Sequence, residues 1–135
     1  MSAFSDYLEG EIINATLRGG SYSGGLVHVA LFTTDPTDAD TGAELSDSAY
    51  ARQVAGDPAS AGFDSPGATS GKTANSSTIT FPAIADAQVT VTHWGIYDAA
   101  TGGNLLYHAP LTNSKTLDPS DVPSFPAGAL TVTLA

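Results

Sequence analysis

"VTHWGIYDAATGGNLLYHAPL", residues 91–111, is the stretch whose reading decides the fold. Two runs rich in aromatic and β-branched residues flank a polar, Gly-containing segment, DAATGG at 98–103. That is the pattern of a β-hairpin closed by a longer loop. A turn over 98–103 sets Tyr97 against Asn104, Trp94 against Tyr107 and Ile96 beside Leu105. Trp94, Ile96, Leu105 and Tyr107 then form a bulky cross-strand cluster, the expected core of the hairpin. The same register sets His93 against His108, a pair that could hold a metal or act as a pH switch. Asp98 reads as a turn former that bonds its own backbone.

Working outward, the flanking segments continue the β pattern. LVHVALFTT (26–34) is apolar on both alternating faces, as expected of a central strand buried on both sides. AYARQV (49–54), TITFPAI (78–84) and QVTVTHWGIYD (88–98) are further strand candidates. ALTVTLA (129–135) alternates Leu130, Val132 and Leu134 inward with Thr131 and Thr133 outward. Between them lie a polar loop at 35–48, broken by Pro36 and Gly42, a Gly/Ser-rich loop at 56–77, and a Pro- and Asp-rich corner, DPSDVPSFPAG. At the other end, Phe4, Leu8, Ile12 and Ala15 recur at helical spacing, with Ile13 and Leu17 widening the stripe. Ser2 or Ser5 caps the start, and Gly19-Gly20 ends the helix. The expectation is a single mostly-β domain over 1–135: an antiparallel β-sandwich or open barrel of about six or seven strands, with one amphipathic helix at 4–18. The stripe Phe4, Leu8, Ile12 needs a partner, either the protein's own sheet or a neighbouring subunit, and is the expected assembly interface. The two long loops are expected to be ordered by neighbouring subunits, because Gly- and Ser-rich segments are costly to order alone.

Charge narrows the function. Four Lys and Arg stand against 14 Asp and Glu, a net charge of −10. Four scattered cations (Arg18, Arg52, Lys72, Lys115) cannot form the stripe that nucleic acid requires, and an anionic membrane surface would repel the chain. No apolar run approaches the ~20 residues of a membrane-spanning helix. The N-terminal MSAFSDYLEGE is acidic and does not read as a secretory signal. There is no cysteine, hence no disulfide and no Cys-ligated zinc. An acid-rich, lysine-poor surface also suits a halophilic setting, whose sign would be stability that rises with salt.

Chemistry-bearing patterns are sparse. DPTDADTGAE gathers Asp35, Asp38, Asp40 and Glu44, but without the ligand order of an EF-hand loop. With His93 and His108, Asp35, Asp38 and Asp40 are the candidates for a cation site; His28 is the remaining histidine, and neither an HxH nor an HExxH spacing occurs. GATSGKT at 67–73 lacks the first glycine of a phosphate-binding loop, since Pro66 holds that place. There is no GxSxG elbow, and nothing singles out a glycosidase pair of carboxylates. No catalytic residue, resident metal or cofactor is expected.

LFTTDPTDADTGAELSDSAYARQ, FPAI, THWGIYDAATGGNLLYHAPL and FPAGALTVTL together resemble a family of short virion structural proteins of tailed bacterial and archaeal viruses, commonly labelled tail-fibre-like. The resemblance runs from about residue 5 to the end and weakens over 56–77. It implies a non-enzymatic, β-rich, symmetric component of the virion, assembled in the host cytoplasm. Its partners would be its own copies, in a homo-oligomer such as a trimer, and other virion proteins. The short chain, with no coiled-coil shaft, suggests a capsid decoration or turret-type subunit. The alternative is a tail-fibre or baseplate subunit that contacts the host surface. A carbohydrate-binding module is a second class, in which Trp94, Tyr97 or Tyr107 would be exposed stacking platforms. A hydrolase, with acids converging in a cleft, is the third.

Overall fold

A computed structural model describes residues 2–55, 62–63 and 71–134. In chain order the elements are β1 (Ala3–Phe4), α1 (Asp6–Leu17), β2 (His28–Phe32), β3 (Gln53–Val54), β4 (Lys72–Ala74), β5 (Ile79–Thr80), β6 (Val89–Tyr97), β7 (Leu105–Leu117), β8 (Ser124–Phe125) and β9 (Thr131–Thr133). Five strands make the main sheet in the order β1-β7-β6-β2-β3, antiparallel throughout. Two short antiparallel ladders, β4-β9 and β5-β8, complete a sandwich-like, mostly-β fold.

The helix starts at Ser5, whose Oγ accepts from Leu8 N at 3.2 Å and also donates to the carbonyl of Leu105. Phe4, expected in the helix, instead pairs as a strand with Tyr107, ring centroids 5.4 Å apart. Leu8 is buried in the main core, and Phe4 and Ile12 pack against it. The protein's own fold therefore covers the stripe expected to be an assembly interface. Ile13 and Leu17 do not widen that stripe; a turn of 3.6 residues points them outward, 51% and 80% exposed.

β2 behaves as a doubly buried strand: all five of its residues are buried. Val29 and Leu31 enter the large core with Val91, Trp94, Ile96, Leu106, Ala109, Leu130 and Val132. Ala30 and Phe32 point the other way, into a small cluster with Tyr97 and Leu105. Gly95 is required there, because a Cβ would lie 2.8 Å from the Phe32 ring and 2.9 Å from Leu105.

The hairpin forms where expected, but in another register. Asp98 N donates to Asn104 O, and Tyr97 pairs with Leu105 rather than Asn104, a shift of one. Leu106 is then an extra residue in a β-bulge, which adds a second. Trp94 consequently faces Ala109, Ile96 faces Tyr107, and His93 faces Pro110 rather than His108. The bulge also splits the expected hairpin cluster: Trp94 and Ile96 enter the large core, Tyr107 packs against it, and Leu105 joins the small one.

Three strands lie where none was expected: β1, β4 at the end of the 56–77 segment, and β8 within the Pro-rich corner. β4 leads into Asn75, only 1% exposed, which is fully bonded. Its Nδ2 donates to Ser77 O and Pro126 O, and its Oδ1 accepts from Leu130 N. The rest of that loop, 56–61 and 64–70, lies outside the described residues. Leu130 and Val132 point inward as expected, but Leu134 is 45% exposed, beyond the last rung of the β4-β9 ladder.

Candidate functional site

Two features hold the side chains that could carry function: an acidic cover over one face of the main sheet, and a groove beneath the other.

The cover is the loop 35–48. His93 and His108 share a face of the sheet as diagonal neighbours, one register step apart, since His93 pairs with Pro110. Asp35 lies between them, its Oδ2 3.9 Å from His93 Nε2 and its Oδ1 3.8 Å from His108 Nδ1. Those gaps are charge proximity, too long for hydrogen bonds. The other nitrogen of each ring is bonded: His108 Nε2 to Asp38 Oδ1 at 2.9 Å, and His93 Nδ1 to Thr92 Oγ1 at 2.8 Å. Tyr97 donates to Asp40 Oδ1 at 2.6 Å. The backbone joins in: Asp6 N donates to Asp38 O, Thr33 N to Ala43 O and Leu45 N to Leu31 O. The expectation that neighbouring subunits order this loop is thus corrected for 35–48: the sheet's own polar side chains fix it, together with the stretch of β2 beyond its pairing with β3.

Of the candidates for a cation site, His93 and His108 meet Asp35, and His108 also meets Asp38, whereas Asp40 is bonded to Tyr97. Each carboxylate oxygen of Asp35 faces a different ring, so the two imidazoles flank the carboxylate instead of sharing a point with it. Among the described residues no group of three or more such side chains could hold a metal ion.

A second cluster ties the cover to the hairpin turn. Arg52 forms a two-pronged pair with Glu44 (Nε to Oε1 2.9 Å, Nη2 to Oε2 2.8 Å). Its Nη1 donates to the carbonyls of Ala99 and Gly102, and its guanidinium carbon lies 3.5 Å from the centre of the Tyr97 ring. Tyr50 donates to Glu44 Oε1 at 2.7 Å and accepts from Leu31 N. Burial raises the pKa of Glu44, but the hydrogen bonds from Arg52 and Tyr50 outweigh it and hold the carboxyl below its usual range. Burial, and then the bond to Asp40, push Tyr97 upward, so it stays a donor. The sequence reading did not find this cluster. Its only signal was Arg52, one of four cations in an acid-rich chain.

The groove, about 710 Å³, runs between the far part of the β6–β7 hairpin and the segment Asp121–Phe125. Trp94, Leu111, Leu117, Val122 and Phe125 line it, with Lys115 and Asp121 as its charged residues. Trp94 is only 5% exposed and Tyr97 3%. They are core residues, not open stacking platforms, which removes the basis for a carbohydrate-binding module built on them.

No curated protein matches this chain. A family model described as podophage GP4 fiber I protein gp80 matches residues 3–133, nearly the whole sequence, covering the helix, the cover and every strand. The chain therefore belongs to the podophage GP4 fiber I protein gp80 family, a phage fibre family of virion components.

Proposed function

We propose that the chain is a non-enzymatic building block on the outside of the phage particle: a fibre-type subunit that works as an oligomer of identical chains joined to other virion proteins. The single observation that carries this reading is the family match over residues 3–133. The family's description favours the fibre over the capsid decoration that chain length alone suggests. The side chains support a structural role. Asp35, Asp38, Asp40 and Glu44 are engaged with His108, His93, Tyr97 and Arg52 in holding the cover down. Assembly in the host cytoplasm and contact with the host surface follow from the fibre reading. The acid-rich surface fits a salty medium, which a denaturation midpoint that rises with salt would support.

The test is antibody labelling of purified particles, with the copy number counted by mass spectrometry. The expected result is label on the appendages and a small number of copies per particle. Hundreds of copies spread over the head would replace the fibre by a capsid decoration. Absence from particles would remove the virion role altogether.

A further inference from the structure

We propose that the groove binds one long-chain fatty acid, its hydrocarbon tail against the apolar walls and its carboxylate at Lys115. The inference goes beyond the structural role and stands wherever the chain sits in the particle.

The groove reaches down to the core. Its volume, about 710 Å³, falls within the roughly 300–1,000 Å³ of ordinary small-ligand sites. The buried residues Leu31, Trp94 and Leu130 line its floor, and the half-buried Leu117 and Phe125 its walls. Val122, 56% exposed, stands at its rim. Apolar side chains open to water in a concave site gain most by taking an apolar ligand.

The backbone argues against a peptide as that ligand. β1 pairs with β7 at Tyr107 and His108, so β7 from Pro110 onward has no partner strand on its outer edge among the described residues. An added strand needs a regular row of N–H and C=O groups there. β7 does not offer one. Pro110 has no N–H. Between the pairs Val91–Lys115 and His93–Pro110, β6 advances two residues while β7 spans five, so the ladder is interrupted by a bulge. A peptide in the groove would leave backbone groups unpaired against hydrocarbon, at a cost in desolvation. An acyl chain has no such groups.

Charge places the head. Lys115 is one of two lysines in a chain with 14 acids, yet its ammonium has no ion pair among the described residues. The other charged group of the groove, Asp121, has its Oδ2 engaged by Asp118 N at 2.8 Å. A single carboxylate docked beside Lys115 is screened by physiological salt from acids more than about 8 Å away. A bilayer is a poorer source of the tail than a free acid, because an anionic membrane surface repels a chain of net charge −10.

Trp94 is the single tryptophan, so its fluorescence reports on the groove. A dibromostearic acid, whose bromines quench tryptophan on contact, is titrated below its micelle concentration into the purified full chain. Quenching should saturate at one acid per chain. Lys115→Gln should weaken binding about fivefold, the scale of an exposed ion pair, and Lys115→Arg should restore it. Unbrominated saturated acids should compete, losing about fourfold in affinity for each methylene removed. Val122→Glu, at an exposed position, should abolish binding while leaving the melting temperature unchanged. Absence of saturable quenching, or a Lys115→Gln chain that binds as tightly as wild type, would overturn the proposal. So would quenching by vesicles of a dibrominated phosphatidylcholine but not by the free acid, which would assign the groove to a lipid surface. Displacement of the acid by a short valine- and threonine-rich peptide would assign it to an added strand. Quenching confined to dissociated chains would assign it to a second copy.

Discussion

The two faces of the central sheet are closed by different physics. One is closed by hydrocarbon: Val29, Leu31, Trp94 and Ile96 pack against Leu130, Val132, Ile79 and Phe81. The other carries a small apolar cluster, Ala30, Phe32, Tyr97 and Leu105, and is closed mainly by directional bonds from the acidic loop. β2 serves both, one residue to each side in turn. Burial against apolar partners tolerates any neighbour of suitable size, and its loss is felt by the whole fold. A carboxylate held by Tyr97 or His108 has one partner, and its loss is felt by one loop. An acid-rich sequence thus gains an ordered segment without a large second core.

The contrast gives four expectations, in falling order of effect. Trp94→Ala should cost about 3–5 kcal/mol, as a lowered denaturant midpoint for the entire molecule. Arg52→Met should cost about 2–3 kcal/mol, because it leaves Glu44, with 28% of its side chain exposed, without its charge partner. Its mark should be faster amide exchange in 35–48 and in the hairpin turn, with β6 and β7 protected. If β6 and β7 opened equally, the two faces would be one cooperative unit and the comparison would fail. Tyr97→Phe removes one hydrogen bond, to Asp40, and should cost about 1 kcal/mol, seen by exchange at residues 37–42.

The last expectation concerns pH. Burial, with a smaller effect of Arg52, lowers the pKa of His28 below its ordinary 6.5, and its Nδ1 is buried without a partner. A histidine whose folded pKa is depressed binds its proton more readily when unfolded. Its contribution is therefore complete above about 6.5 and is lost as pH falls toward the folded value. Glu44, also depressed, loses its contribution in a lower window, below about 4.5. The stability profile should show a shallow step beginning near neutrality, which His28→Asn abolishes, before the acid limb. A profile unchanged by that substitution would mean that the ring is solvated.

Much of the main sheet was legible in the primary structure because alternation survives translation into a strand. The apolar run at 26–34 forms a doubly buried strand, and the 91–111 stretch forms a hairpin with Asp98 bonding across its turn. Register was not legible. One more residue in the turn and one bulge residue, Leu106, moved His93 from His108 to Pro110. Composition carries no signal for a bulge, which depends on how Leu105 and Leu106 divide between two clusters.

Residue identities alone fixed the mostly-β class, the helix near the N-terminus, the absence of disulfides and the anionic surface, since these follow from period, side-chain chemistry and charge. Only the tertiary structure decided which acids meet which rings, that Asn75 fastens the 126–130 corner, and which side of α1 faces water. Those outcomes depend on contacts between residues far apart in the chain, such as Asp40 with Tyr97 or Arg52 with Gly102, whose distances are set once the strands have paired.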